Sequence, residues 1–296
     1  MGSMWQEIFI AVGILVGLGL FFATVLAVAY RKLRVYEDPR IDQVEEMLPH
    51  ANCGACGEPG CRAFAEKLVG AEVSPSKCTV SAPEAIEQIA TFLGVSAGEE
   101  EKRVARLLCA GGKREAHHLA QYSGALGTCR GEAVVAGGAK ACAWGCLGLG
   151  DCVDVCDFDA LYLNDDGLPT VIPDRCTACG DCVEICPKGL FELMPVSQKL
   201  IVQCKSLLEG DLAESKCSVA CTACGRCVAD SAPGLIEIVD NLAVINYELN
   251  ELASIASIRR CPTKAIRWVE GAQFANESIT QLPLGRVERY DEEYYQ

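Results

Sequence analysis

Twenty of the 296 residues are cysteine, and their spacing is the first feature of the chain that could do chemistry. Cys176, Cys179, Cys182 and Cys186, followed by Pro187, keep the C-x2-C-x2-C-x3-C-P run in which three thiolates cup one iron–sulfur cubane and the fourth reaches a neighbouring one. Zinc sites usually set one cysteine pair against a distant second pair, which a tight three-thiol cup ending in Cys-Pro does not do. A partner run lies upstream, Cys142-x3-Cys146-x5-Cys152-x3-Cys156. Aligned to the downstream run, its positions are 146, 149, 152 and 156, and residue 149 is leucine. Cys142, four residues before Cys146, is the obvious replacement. The spacing thus predicts one 4Fe–4S cluster on Cys142, Cys146, Cys152 and Cys186, and another on Cys176, Cys179, Cys182 and Cys156.

The next stretch repeats this plan in weaker form. Cys217-x3-Cys221-x2-Cys224-x2-Cys227 is followed by Ser231 where a fourth cysteine is due, and Cys261-Pro262 stands far downstream. The second cup should fall between Asn250 and Ser257, which hold no cysteine. One site is expected here, on Cys221, Cys224, Cys227 and Cys261. Cys204 precedes Cys217 and Cys221 much as Cys109 precedes Cys142 and Cys146, and duplication of one unit is the simplest account. Cys109, Cys129, Cys204 and Cys217 are left over. A free cysteine is often only a small buried apolar residue; a fifth cluster involving Cys109 and Cys129 is the alternative. Nearer the N-terminus, Cys53-x2-Cys56-x4-Cys61-x16-Cys78 encloses Gly54, Gly57 and Gly60, which let backbone fold tightly around a bulky object.

The elements that must carry these thiols are legible in outline. Residues 8–30 contain no formal charge, long enough as a helix to cross a bilayer, with Trp5 and Tyr30 suited to the two interfaces. Arg31, Lys32 and Arg34 follow at once, so the positive-inside rule puts the N-terminus outside and the rest on the cytoplasmic side of the inner membrane, as a single-pass protein. A reducing compartment favours metal-bound thiols over disulfides. Arg62–Val69 and Pro83–Leu93 have helical periodicity, the second ending at Gly94, and hairpins are expected around Asp165–Gly167 and within residues 235–246. The fold class is α+β. The expected divisions are an anchor (1–35), a four-cysteine domain (36–98), a connecting segment (99–141), a two-cluster domain (142–198), a degenerate one-cluster domain (199–270) and an acidic tail (271–296).

Composition narrows the function. A net charge of -14 argues against nucleic-acid binding, and 50% hydrophobic residues argue against disorder. Neither a phosphate loop nor a GxGxxG opening a helix is present, so no direct nucleotide binding is expected. His50, His117 and His118 read as surface residues, and no carboxylate pair suggests an acid/base dyad; no catalytic residue is expected. Lys102, Arg103, Arg106, Lys113 and Arg114 are the candidate basic patch for an acidic partner, although a solvated face is an equal reading.

The anchor helix, NCGACGEPGC with Cys78, GCLGLGDCV and the ferredoxin runs, in that order, resemble the B subunit of the Rnf complex, the membrane-bound ion-translocating ferredoxin:NAD oxidoreductase. The likeness covers residues 5 to about 268. It implies that Cys53, Cys56, Cys61 and Cys78 hold a 4Fe–4S cluster, bringing the total to four, or five if the spare thiols hold another. It also implies electron transport, from soluble reduced ferredoxin to the other membrane subunits of a translocase. Leu149, and Asp157 in place of the usual proline, depart from the regular pattern, and the degenerate second ferredoxin is an extension of longer members. Two other readings are a membrane polyferredoxin feeding a different reductase and a zinc- or disulfide-stabilised membrane scaffold.

Overall fold

A computed structural model describes residues 2–33, 37–122 and 127–274. Arg34 and nearly all of the acidic tail lie outside these residues. The apolar N-terminal stretch forms helix α1 (Gly2–Leu33), whose segment Val12–Lys32 has a mean hydropathy of 2.5 and no side chain buried against the protein. It is the one helix among the described residues long and apolar enough to span a membrane.

Beyond it, α2 (Pro39–Met47), α3 (Cys61–Val69) and α4 (Pro83–Leu93) pack around Val44, Phe64, Leu68 and Ile89. Asp38 caps α2 by accepting from the Arg40 amide at 2.9 Å, and α4 ends at Gly94 in the left-handed conformation. Arg62 ties α3 to α2 through Glu37, Asp42 and Glu45. These pairs are exposed and are worth little individually, so the apolar seam carries this small domain.

The remainder consists of two units on one plan. In the first, an outer antiparallel pair, β1 (Arg103–Leu107) with β4 (Phe191–Pro195), encloses the hairpin β2 (Leu161–Leu163) and β3 (Pro169–Val171). The short helices α5 (Cys129–Val134), α6 (Asp151–Asp154) and α7 (Asp181–Ile185) complete it. β1 falls in the stretch expected to be a connection, and it is built into the outer pair. In the second unit, β5 (Leu200–Val202) pairs with β8 (Ile266–Trp268) outside the hairpin β6 (Ile236–Val239) and β7 (Leu242–Ile245). Helices α8 (Gly210–Lys216) and α9 (Arg226–Ala229) belong to this unit, and 3-10 turns at Tyr247–Leu252 and Ile255–Ile258 stand where the missing cup was expected.

Both hairpins have a local cause. Asn164 Oδ1 accepts from the Asp166 and Leu168 amides at 3.0 and 2.9 Å, and Asp240 and Asn241 turn the other with positive φ at both central positions. The units touch just beyond β1 and β5, where the Ala110 amide donates to the Gln203 carbonyl at 3.0 Å.

Candidate functional site

The cores of both units mix cysteines with aliphatic and aromatic side chains. Cys146, Cys152 and Cys182 are buried with Leu107, Leu161 and Phe191, and Cys221 and Cys227 with Leu200, Leu235 and Ile266. Among the described residues, no group of three or more histidines, cysteines or carboxylates converges to hold a single metal ion. The thiols instead line four cavities, four to each.

Cys156, Cys176, Cys179 and Cys182 line one cavity of about 350 Å³, as the spacing predicts. Cys221, Cys224, Cys227 and Cys261 line a second, also about 350 Å³. The backbone makes each cup the same way. Ala178 (φ 59°) and Gly180 (φ 100°) bracket Cys179, and Ala223 (φ 55°) and Gly225 (φ 68°) bracket Cys224. Two left-handed residues around the middle cysteine curl the chain so that three successive thiols face one centre before the short helix begins.

A third cavity, about 330 Å³, differs from the expected ligand set. It is lined by Cys146, Cys152 and Cys186, but its fourth cysteine is Cys129; Cys142 is not among its lining residues. The register reading of Leu149 is supported by the backbone, because Gly148 (φ 75°) and Gly150 (φ 89°) bracket it as Ala178 and Gly180 bracket Cys179. The replacement comes from elsewhere. The Asp151 carboxylate accepts from the Cys129 and Arg130 amides at 2.8 and 3.1 Å, pinning the start of α5 against the start of α6. Cys142 is turned away by a tight turn, with the Gly145 amide donating to its carbonyl at 3.0 Å. It lines a separate cavity with Cys109, Cys204 and Cys217.

In the N-terminal domain, Asn52 Oδ1 accepts from the Cys61 amide at 2.8 Å, folding the loop of Cys53 and Cys56 back onto α3. Cys53 and Cys78 stand close enough to Cys56 to raise its pKa, behind the larger effect of burial, and Ser81 Oγ donates to Cys78 Sγ at 3.1 Å. The structure therefore brings Cys53 and Cys78 close to Cys56, and seats Cys61 at the start of α3 beside them in sequence.

Burial dominates the electrostatics throughout. It pushes the Cys182 thiol up to about 12, with Cys176, Cys179 and Cys156 adding to the shift, and Cys146 up to about 12 with help from Cys109. A thiol buried among thiols holds its proton until a metal displaces it. Some of these influences cross from one group of thiols to another. Cys152 is influenced by Cys182 of the adjoining cavity, Cys146 by Cys109, and Cys204 by Cys221. Thr79, beside Cys78, donates to the carbonyl of Thr177, beside Cys176, at 2.6 Å. Thiols of different groups thus stand near enough to influence one another.

Of the proposed basic patch, Arg106 is only 2% exposed, with Nη1 donating to the Gly271 carbonyl at 2.7 Å, so it is no docking residue. Every residue of β1 after Arg103 is buried, on both faces of the strand. Arg114 pairs with Asp166, while Lys102 and Lys113 stay exposed. His50, His117 and His118 are all exposed.

Residues 48–80 match the family described as "Putative Fe-S cluster", and residues 141–190 match the 4Fe-4S dicluster domain family. The chain is 42% identical to the B subunit of the Na(+)-translocating ferredoxin:NAD(+) oxidoreductase complex of Acetobacterium woodii, over 83% of this chain and 73% of that protein. It is 40% identical to the B subunit of the proton-translocating ferredoxin:NAD(+) oxidoreductase complex of Clostridium ljungdahlii, over 84% and 88% respectively. It is 36% identical to the B subunit of the ion-translocating oxidoreductase complex of Methanosarcina acetivorans, over 86% and 96%.

Proposed function

Since the chain belongs to the B-subunit family of the ion-translocating ferredoxin:NAD oxidoreductase (Rnf) complexes, we propose that it accepts electrons from soluble reduced ferredoxin and hands them to the other subunits of such a complex. It is an iron–sulfur electron-transfer subunit. Its 4Fe–4S clusters supply one-electron transfer without bond-making. The residues we assign to them are Cys53, Cys56, Cys61 and Cys78; Cys156, Cys176, Cys179 and Cys182; Cys129, Cys146, Cys152 and Cys186; and Cys221, Cys224, Cys227 and Cys261. The protein's part is to hold these thiols apart at fixed spacing, aim backbone amides at them and keep water away. No catalytic acid, base or nucleophile is assigned, so the chain has no active site of its own.

The observation that carries this reading is the recurrence of four cysteines around one cavity in a chain that also carries a membrane-length helix. In this reading α1 anchors the subunit in the inner membrane with its N-terminus outside, because Arg31 and Lys32 close its inner end. The test is rapid anaerobic mixing of the oxidised complex with reduced ferredoxin while the cluster absorbance of this subunit is followed. Bleaching on mixing is expected, together with co-purification of integral membrane subunits. A subunit that stays oxidised with ferredoxin, yet is reduced by another physiological donor, is a polyferredoxin of a different system.

A further inference from the structure

The cavity lined by Cys109, Cys142, Cys204 and Cys217 holds all the cysteines not assigned above. Like the cavities around the other three ferredoxin-type sites, it is lined by four cysteines. Cys109 and Cys142 come from the first unit, Cys204 and Cys217 from the second, and within the repeat Cys109 corresponds to Cys204 and Cys142 to Cys217. The hydrogen bonds obey the same correspondence. Cys109 Sγ accepts from the Cys146 amide at 3.4 Å, and Cys204 Sγ accepts from the Cys221 amide at 3.3 Å. The Trp144 amide points at Cys142 as the Val219 amide points at Cys217, each two residues beyond its thiol. Thiols buried for packing alone would not need matching amides from both repeats.

Two further features suit a bulky anionic occupant. Gly111 leaves the wall bare: a Cβ there would stand 2.9 Å from Cys217 Sγ and 3.8 Å from Cys109 Sγ. Lys140 is 6% exposed, with Nζ donating to the Gly111 carbonyl at 2.6 Å, and no carboxylate among the described residues forms an ion pair with it. A buried ammonium without a carboxylate needs negative charge from another source. Cys142, Cys146 and Cys217 are the thiols that feel it.

We propose that Cys109, Cys142, Cys204 and Cys217 hold a fifth 4Fe–4S cluster, seated in the joint and closed by two thiols from each unit. The assignment rests on the iron–sulfur reading of the other sites. It fills the interval between them: Cys109 neighbours Cys146 of one site and Cys204 neighbours Cys221 of another, so the two ferredoxin-like units become one uninterrupted series.

The test is iron and acid-labile sulfide per chain in the full-length protein, purified anaerobically with its partner subunits as background controls. About twenty irons are expected in place of about sixteen, at four per four-cysteine site. Cys109→Ala and Cys217→Ala, one from each unit, should each remove about one-fifth of this chain's iron, and the double variant no more than either single one. Gly111→Val should remove the same share with every thiol intact. About sixteen irons in the unaltered chain, alone or with one zinc, overturn the fifth site and leave the other four assignments standing. Absence of sulfide overturns both. If a variant fails to fold, the count in the unaltered chain decides.

Discussion

Leu149 sits where a cluster ligand would, on backbone shaped for a thiol, and that separates shape from chemistry at one residue. Replacing Cys129 with alanine should cost the Cys146 site about four irons per chain. Adding Leu149→Cys to that variant should restore them, since Gly148 and Gly150 already hold the left-handed turns found around Cys179 and Cys224. An iron count on the single and double variants checks both outcomes. Gly148 is itself constrained, for a Cβ there would meet the Gly167 carbonyl at 2.8 Å on top of the positive φ. Gly148→Ala should therefore destabilise by at least about 1–2 kcal/mol, read as earlier loss of cluster absorbance in a denaturant titration. At this scale the sequence is readable where ligands are neighbours. Cys176, Cys179 and Cys182 announce their site because a single turn of chain joins them. Cys129 does not, because its place depends on the Asp151 carboxylate gripping α5, and no spacing rule encodes a grip from 22 residues away. The half-buried aspartate–amide contact could have been suspected only from the Gly-Asp-Cys sequence at the start of α6.

Among the elements, β1 has the most demanding task, since it sits in the outer pair of the first unit and runs straight into Cys109. Gln273 clamps its end: Oε1 accepts from the Leu107 amide at 2.9 Å, and Nε2 donates to the Leu107 carbonyl at 3.1 Å, all in a buried setting. Gln273→Ala leaves both backbone groups without partners and should cost about 1–3 kcal/mol. Hydrogen exchange should report it as lost protection at Leu107, with the β6–β7 hairpin unchanged. The hairpins and the helices of the N-terminal domain were readable from turn residues and periodicity, which are local properties. The outer pairs β1–β4 and β5–β8 were not, because three- to five-residue strands joined across 60 residues or more leave no local pattern. That is why residues 103–107 read as a connection until their partner was known.

For the molecule as a whole, sulfur and one membrane helix account for much of the hydrophobic composition, and the soluble cores are correspondingly small. Cores of that size depend on what their thiols bind. Removing iron with a chelator under oxidising conditions should abolish the β-sheet signal in circular dichroism while the helical signal of α1 in detergent survives. Alkaline carbonate should leave the intact protein in the membrane pellet, whereas detergent should release it, as a spanning helix requires. The joint between the units also sets a timetable. Its cavity takes Cys109 and Cys142 from chain made early and Cys204 and Cys217 from chain made late. A nascent polypeptide can complete the pockets of its first ferredoxin-like unit soon after residue 195 emerges, but it must expose half of the joint until Cys217 has followed. With a cluster seated in the joint as proposed, maturation of this subunit has a built-in last step, and a ribosome stalled between those points leaves two bare thiols open to the cell.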